Sequence, residues 1–233
     1  NFPMGIDATV EEQGGFSGIS GPYGSDKNDI HVFVADKNNY RIHWFFYRRT
    51  EEGPILMYNP EKEFLHPQNS TFHKPIDVTC DPWTFESWGW IYVLDYVGQI
   101  IGVDLETGER IPRLPYGDQG SLPGAFDNPS SICARKMNLV VADQGNDRIV
   151  LIKTLPEYPY YEWMDECYIP GSDLVSVSID QWMDVYVGDR ENDCIHKLTI
   201  NEEGGQTLEY LTKYGTNGSA QDQFHRVRTV AAG

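Results

Sequence analysis

Short hydrophobic runs that end in aspartate recur along the chain. In each of them an apolar, strand-like segment reaches an aspartate, passes through a polar turn and returns to an apolar residue. The four segments are VFVADKNNYRI, IYVLDYVGQII, LVVADQGNDRI and VYVGDRENDCI, with their aspartates at Asp36, Asp95, Asp143 and Asp189. Successive aspartates lie 59, 48 and 46 residues apart. A period in the forties built from short strands is typical of β-propeller blades, which bury their faces against their neighbours. We therefore expect an all-β propeller.

The clearest repeat begins at Tyr116 with a glycine-rich connector. Three strand-like segments follow the connector, SSICA, LVVAD and RIVLIK, and we expect a fourth strand to end near Ile169. The same connector returns 98 residues later, beginning at Tyr214, and this interval corresponds to two blades. We expect one propeller domain, or a part of one, with blades near residues 1–70, 71–115, 116–170 and 171–213 and the start of another at 214–233.

The turn after each aspartate resembles the turn of the NHL-repeat family. DKNNYRI, from Asp36 to Arg41 and beyond, and DQGNDRI, from Asp143 to Arg148 and beyond, carry the Asp, Asn and Arg of that family at its spacing. The third match, at Asp189, has Cys194 in place of the arginine, and the repeat at Asp95 keeps only the aspartate and the apolar ending. The resemblance implies an NHL-type ring of six four-stranded blades, about five of which would lie in this chain. We expect the chain to be part of a longer protein.

These turn residues have a local structural interpretation. An aspartate at the end of a strand can accept hydrogen bonds from turn amides, and an asparagine three residues later tolerates a left-handed backbone. Gly98 supplies the same backbone freedom after Asp95. An arginine at the head of the next strand can pair with a nearby carboxylate. We therefore expect structural and not catalytic roles for Asp36, Arg41, Asp95, Asp143, Arg148 and Asp189.

Charge and hydropathy narrow the classes of partner. The chain has 233 residues and a formal net charge of −17, whereas proteins that bind phosphate backbones need a cationic surface. No apolar run reaches the length of a membrane span. We therefore expect neither nucleic-acid binding nor membrane insertion. The acidity favours basic partners or divalent cations.

The cysteines and two sequons favour the secretory pathway. The four cysteines lack the C-x-x-C spacing of a zinc knuckle, and their even number is compatible with disulfides. We predict a Cys167–Cys194 pair and a second pair, Cys80–Cys133, although four cysteines allow three connectivities. Glycosylation sequons begin at Asn69 and Asn217. We expect a secreted or cell-surface glycoprotein, and the alternative is a cytosolic protein with four buried thiols.

Two histidines could hold a channel metal. His73 and His225 each follow a phenylalanine at the same position of their repeats, where the innermost strand begins. FHKPIDV also resembles the inner strand of the peptidyl-hydroxyglycine amidating lyases, and this resemblance implies zinc held by channel histidines from separate blades. A three-ligand zinc site needs a further histidine. The carboxylates Asp77, Asp127 and Asp180 allow calcium as the other channel ion.

An insertion rich in tryptophan is the candidate binding surface. The segment PWTFESWGW places Trp83, Trp88 and Trp90 at a turn between strands, and residues 48–70 are predicted to form an extended outer hairpin. Exposed aromatic side chains are favoured anchors of protein interfaces, whereas packing over a blade edge is the structural alternative. No nucleophile elbow, nucleotide-binding glycine loop or H-E-x-x-H motif is present. We favour a non-enzymatic scaffold that binds a protein partner or its own copies, with a metal-dependent amidating lyase as the alternative.

Overall fold

Almost all regular structure among the described residues is β-strand. The computed structural model describes residues 5–10, 30–50, 53–58, 64–65, 72–81, 90–104, 110–157, 160–202 and 205–232. Within these ranges two short 3-10 turns, Lys37–Asn39 and Gln144–Asn146, interrupt the strands. No helix in the described ranges has the length and apolarity needed to cross a bilayer. The chain divides into two compact units, Asn1–Tyr96 with Ile100–Pro115 and Val97–Gln99 with Tyr116–Gly233.

The first unit contains two sheets. The strands of its first sheet are β1 (Gly5–Val10), β2 (Ile30–Asp36), β3 (Arg41–Thr50), β4 (Gly53–Tyr58) and β5 (Phe64–Leu65). They are antiparallel and follow the order β1-β2-β3-β4, with β5 pairing with the start of β3. The second sheet has the order β6-β7-β8-β9. Its strands are β6 (Pro75–Thr79), β7 (Trp90–Asp95), β8 (Gln99–Asp104) and β9 (Arg110–Tyr116).

The second unit also contains two sheets, both of four antiparallel strands. One sheet is built from β10 (Ser131–Arg135), β11 (Asn138–Asp143), β12 (Arg148–Thr154) and β13 (Tyr161–Tyr168). The other is built from β14 (Leu174–Ile179), β15 (Asp184–Asp189), β16 (Cys194–Asn201) and β17 (Thr207–Tyr214). Each sheet follows chain order from first to last strand. Four strands paired in chain order form the meander of a propeller blade.

The repeat read from the sequence coincides with these sheets. The second strand of each sheet ends at one of the four recurring aspartates, Asp36, Asp95, Asp143 and Asp189. The glycine-rich connector also recurs as the same structure. Gly120 and Gly218 both have positive φ, and their amides donate to the carbonyls of Phe126 and Phe224, respectively, at 3.0 Å. The prediction of an all-β chain built from four-stranded sheets is confirmed among the described residues, except that the first sheet has a fifth strand, β5.

Each unit has its own hydrophobic core, which explains the apolar runs. In the first unit Phe33, Ile42, Val78 and Val93 belong to one buried cluster drawn from both sheets. In the second unit the cluster joins residues of both sheets in the same way. The middle strand β11 is buried along its whole length, so it reads as a continuous apolar run without alternation. Burial on both faces is what stacked sheets require of their central strands.

Candidate functional site

The turn after Asp143 shows how the repeat stabilises a strand end. The Asp143 carboxylate accepts hydrogen bonds from the backbone N–H of Asp127 at 2.7 Å and from the side-chain amide of Asn146 at 2.8 Å. Arg148 Nε donates to Asp143 Oδ2 at 2.7 Å. Both side chains of this ion pair are almost fully buried. The aspartate therefore connects the incoming connector, the turn and the next strand.

The guanidinium of Arg148 makes several hydrogen bonds and one cation–π contact. Its Nη1 donates to Glu166 Oε2 at 2.7 Å and to the Ser121 carbonyl, and its Nη2 donates to the Ala125 carbonyl. Its guanidinium carbon lies 5.1 Å from the centre of the Trp163 ring, within cation–π distance. Burial lowers the pKa of Arg148, but the hydrogen bond and charge of Asp143 outweigh it and raise that pKa. A permanently charged, fully paired guanidinium has a structural role.

The aspartates of the first unit make related contacts. Asp36 Oδ2 accepts hydrogen bonds from Asn39 at 2.7 Å and from Arg41 Nε at 3.0 Å, and it lies 3.2 Å from His43 Nε2. Asp95 instead accepts the backbone N–H groups of His73 and Lys74. These contacts are of the kind expected for strand-end aspartates.

The left-handed residue of the turn differs from the expectation. The asparagine three residues after the aspartate was expected there, but its side chain instead donates to the aspartate. The next residue is the one with positive φ, at 59° for Tyr40, 52° for Asp147 and 48° for Asp193. The turn after Asp95 is one residue shorter, and Gly98 takes the left-handed position at 77°. The prediction is therefore correct for Gly98 and wrong for the asparagines.

The turn after Asp189 replaces the arginine with a different group. His196 Nε2 lies 3.0 Å from Asp189 Oδ2 and 3.6 Å from Cys194 Sγ. His196 Nδ1 lies 3.0 Å from the Tyr210 hydroxyl. Asp189 Oδ1 meanwhile accepts backbone N–H groups of Asp173, Glu191 and Asn192. We call Asp189, Cys194, His196 and Tyr210 the Asp189 site; its first three members are buried.

Strand registers show that several equivalent positions carry different residue types in the two sheets of the second unit. Val150 pairs with Glu166 across β12 and β13, and His196 pairs with Lys213 across β16 and β17. By the same registers Cys194 stands in the place of Arg148 and Tyr210 in the place of Trp163. Glu166, which forms an ion pair with Arg148 in one sheet, thus corresponds to Lys213 in the sheet that lacks the arginine.

Electrostatics keep the thiol of the Asp189 site neutral. Burial raises the pKa of Cys194, and the charges of Asp189 and Asp193 raise it further, against an opposing effect of Lys213. Burial also raises the pKa of Asp189, but hydrogen bonds from Asn192 and His196 lower it more, so the carboxylate is ionised. A protonated thiol beside a carboxylate is a poor nucleophile.

The geometry does not fit a nucleophilic triad. In such a triad the nucleophile and the carboxylate contact opposite nitrogens of the imidazole. Here Cys194 and Asp189 both face Nε2 of His196, and the phenol of Tyr210 faces Nδ1. The donor types carboxylate, thiol and imidazole are those that bind transition metals. Among the described residues these three form the one group of at least three such side chains whose ligand atoms all lie within 4.8 Å of one another.

A surface depression adjoins the Asp189 site. It has a volume of about 620 Å³ and is lined by Tyr168, Ile169, Pro170, Asn192, His196, Tyr210, Thr212 and Lys213. His196 and Tyr210 therefore belong to both the site and the depression. Tyrosine, isoleucine and proline give this lining an apolar and aromatic character.

Neither predicted disulfide is present. All four cysteines lie among the described residues and remain thiols. Cys194 Sγ faces His196, and Cys167 is on β13 of the other sheet, where it packs against the core of the second unit. Cys80 is buried in the core of the first unit, and Cys133 packs against the core of the second. Each thiol is therefore accommodated by local packing.

The metal site predicted at His73 and His225 stays a prediction. His73 and His225 are exposed and belong to different units. The buried Asp180 accepts the backbone N–H groups of Trp182 and Asp184 and thereby caps the turn between β14 and β15. Asp77 accepts the N–H of Val78, and Asp127 joins no such group of ligands.

The predicted binding surface and sequons lie partly outside the described residues. Trp83, Trp88 and Asn69 are outside them, and Trp90 is half-buried at the start of β7. The hairpin expected over residues 48–70 is present in part, as the antiparallel pair β3–β4 with Thr50 opposite Gly53. The side-chain amide of Asn217 donates to the Asp193 carboxylate. Glycosylation and an extracellular location stay predictions.

Comparisons with known proteins show similarity of fold. No family model matches the chain, and no curated protein matches it. A streptogramin B lyase structure is 16% identical, with a TM-score of 0.52 over 89% of this chain and 53% of that one. A structure of a putative 6-phosphogluconolactonase from Bacteroides uniformis is 12% identical, with a TM-score of 0.55 over 82% of this chain and 55% of that one. The Cps50 (Swd1) β-propeller domain from Myceliophteria thermophila is 11% identical, with a TM-score of 0.52 over 87% of this chain and 60% of that one.

These structures are β-propellers, and the chain spans only 53% to 60% of their length. At such low identities the similarity concerns the fold alone. The propeller part of the prediction is therefore supported by both the sheets and the comparisons. Assignment to the NHL type stays a prediction.

Proposed function

We propose that this chain is a non-enzymatic β-propeller module that binds a protein partner through the edge of β17 and the adjoining depression. The observation that carries the proposal is that two exposed tyrosines, Tyr168 and Tyr210, line the depression, and that β17 carries further large exposed side chains. Tyr168, Tyr210, Leu211 and Tyr214 are exposed by 55%, 42%, 45% and 53%. Clustered exposed aromatic side chains are favoured anchors of protein interfaces.

Strand β17 offers backbone groups as well as side chains. It ends its sheet, so no strand among the described residues pairs with its outer edge. A bulge opposite Lys197 and Leu198 leaves Leu211 without an opposing residue on β16. An extended segment of a partner can add to such an edge through main-chain hydrogen bonds, while pockets select its side chains. The depression is lined in part by Tyr210, Thr212 and Lys213 of β17, so it can receive a side chain of such a segment.

The chemistry of the partner follows from charge. The chain carries a net charge of −17, so a partner with basic residues is attracted over long range and its association is accelerated. The depression itself is mainly apolar and aromatic. The partner that fits is therefore an extended protein segment with an apolar side chain flanked by lysine or arginine.

The amidating lyase remains the alternative from the sequence, and no contact among the described residues favours it. Turnover of an α-hydroxyglycine peptide by the purified protein is its direct test. The tryptophan insertion, Trp83 to Trp90, likewise remains the alternative binding surface.

Affinity measurements with matched variants test the proposed surface. The partner is first captured from the native source with the wild-type chain and then purified. Its affinity is measured for the wild type, for Tyr168→Ala with Tyr214→Ala, and for Trp182→Ala. Trp182 is 71% exposed, but it lies in the turn between β14 and β15 and belongs neither to β17 nor to the lining of the depression. We expect at least a tenfold rise in Kd for the double variant, which corresponds to about 1.4 kcal/mol, and little change for Trp182→Ala.

Equal affinity of the double variant and the wild type would exclude this surface. Equal losses in the double variant and Trp182→Ala would indicate nonspecific adhesion of exposed aromatic side chains. Sedimentation of the wild type alone distinguishes a second copy of the chain from a different protein as the occupant. Circular dichroism of each variant checks that the β-structure is intact.

A further inference from the structure

We infer that Asp189, Cys194 and His196 form a binding site for a single zinc ion. This site goes beyond the proposed partner binding and uses other residues than the histidines expected to line a channel. Its three side chains provide a carboxylate oxygen, a sulfur and an imidazole nitrogen on one buried face. Zinc is bound by these three donor types, and transition-metal sites that combine thiolate with imidazole favour it over calcium or magnesium.

The spacing of the donor atoms fits tetrahedral zinc. Zinc–sulfur bonds of about 2.3 Å and zinc–nitrogen or zinc–oxygen bonds of about 2.0–2.1 Å place neighbouring ligand atoms about 3.3–3.6 Å apart. Cys194 Sγ lies 3.6 Å from His196 Nε2, and Asp189 Oδ2 lies 3.0 Å from the same nitrogen. All three atoms lie within 4.8 Å of one another. Only a small opening between Asp189 and His196 is needed to admit the ion.

Neighbouring groups hold the ligands in a suitable orientation. Asp189 Oδ1 accepts the backbone N–H groups of Asp173, Glu191 and Asn192. Asp189 Oδ2 accepts the side-chain amide of Asn192 at 2.7 Å and lies 3.0 Å from His196 Nε2, so it is held beside the imidazole. The Tyr210 hydroxyl lies 3.0 Å from His196 Nδ1 and can accept its N–H when Nε2 binds the metal. Metal-bound histidines generally donate their other N–H to such an oxygen. Tyr210 is therefore a positioning residue of the site.

The neighbouring sheet has a positive charge at the position that Cys194 occupies in the Asp189 site. In that sheet Arg148 places a permanent positive charge against the buried Asp143. The Asp189 site lacks the arginine and has a thiol in its place. A divalent cation replaces the missing charge and stabilises the thiolate.

Metal titration of the full chain tests the site. The reduced protein is stripped with a chelator and titrated with Zn²⁺ against a chromogenic competitor, and with Co²⁺, whose charge-transfer band reports thiolate coordination. We expect one Zn²⁺ per chain and a cobalt–thiolate band. Cys194→Ser and His196→Gln should abolish the band and weaken zinc binding by more than the 10- to 100-fold typical of a change beside the ligands. Tyr210→Phe should weaken binding about 10-fold.

Cys167→Ser is the matched control, because Cys167 is a partly buried thiol of the same unit outside the ligand group. It should keep both the zinc and the cobalt band. Absence of zinc binding by the wild type, or retention of the band in Cys194→Ser, would overturn the inference. If the ligand variants do not fold, X-ray absorption of zinc-loaded Cys167→Ser decides the question. One sulfur at about 2.3 Å is expected, whereas a shell of nitrogen and oxygen alone would refute the site.

Discussion

Arg148 and Cys194 occupy the same position, five residues after a strand-end aspartate, and their chemistry differs. Arg148 satisfies Asp143, Glu166 and two carbonyls at once and is almost fully buried. At Asp189 the neutral thiol of Cys194 occupies the position of the arginine. His196, two residues further along β16, approaches the Asp189 carboxylate. The same repeat therefore carries a structural ion pair in one sheet and a potential ligand set in the next.

Replacing Arg148 should be strongly destabilising. Arg148→Met keeps much of the side-chain volume but leaves Asp143 as a buried carboxylate without its cation. Breaking a buried ion pair by removing one partner typically costs about 3–5 kcal/mol. Urea denaturation should therefore show a lower free energy of unfolding by about that amount.

The matched control is Arg190→Met, because Arg190 pairs with Asp173 near the surface. Exposed ion pairs contribute about 0–1 kcal/mol, so this variant should remain close to the wild type. Similar losses in the two variants would contradict the view that Arg148 is distinguished by its burial.

Part of the Asp189 site could have been recognised from the sequence. Side chains two residues apart on a strand share a face, so Cys194 and His196 at the head of β16 point the same way. A histidine seven residues after the aspartate occurs at both His43 and His196. Tyr210 could not be identified in this way, because its position depends on the register of β17 and on a bulge in that pairing.

The repeat includes the bulges of the strands and the bridges of the connectors. The fourth strands β13 and β17 both carry a bulge at the equivalent place, opposite Leu151–Ile152 and Lys197–Leu198. The connectors before β10 and after β17 both close with a bridge to phenylalanine, at Phe126 and Phe224. Strands that end in aspartate were predictable because their apolar runs are buried. Bulges were not, because they depend on pairing with a neighbouring strand.

The connector glycines should differ in their tolerance of alanine. Gly117 has φ of 107°, and an added Cβ would lie 2.5 Å from the carbonyl oxygen of Gly98 and 2.9 Å from the Phe126 ring. Gly171 has φ of 74° but no atom within 4 Å of the added Cβ. Gly171→Ala should therefore cost about 1–2 kcal/mol from backbone strain alone. Gly117→Ala should cost a further 1–3 kcal/mol, roughly, from overpacking.

Urea denaturation of the two glycine variants measures this difference. A loss in Gly117→Ala no larger than that in Gly171→Ala would show that the close approach of the connector to Gly98 and Phe126 does not limit stability.

On the scale of the whole molecule, the chain has a strongly acidic charge and four described sheets, each with a strand that ends at one of the recurring aspartates. The two sheets of each unit share a hydrophobic core. The repeated aspartates were sufficient to predict this architecture. Function was less predictable, because propellers serve both as enzymes and as binding modules. Tyr168 and Tyr210 became part of a candidate surface only once the structure had placed both of them in the lining of one depression.

Hydrogen–deuterium exchange of the chain with and without its purified partner tests the proposed binding surface most directly. We expect slower exchange of amides in Thr207–Tyr214 and around Tyr168, because a bound segment covers the edge of β17. Exchange in residues 82–90 and in the β3–β4 hairpin should be unchanged. Protection confined to those two segments, with β17 exchanging as in the free protein, would contradict binding at β17 and favour the tryptophan insertion as the binding surface.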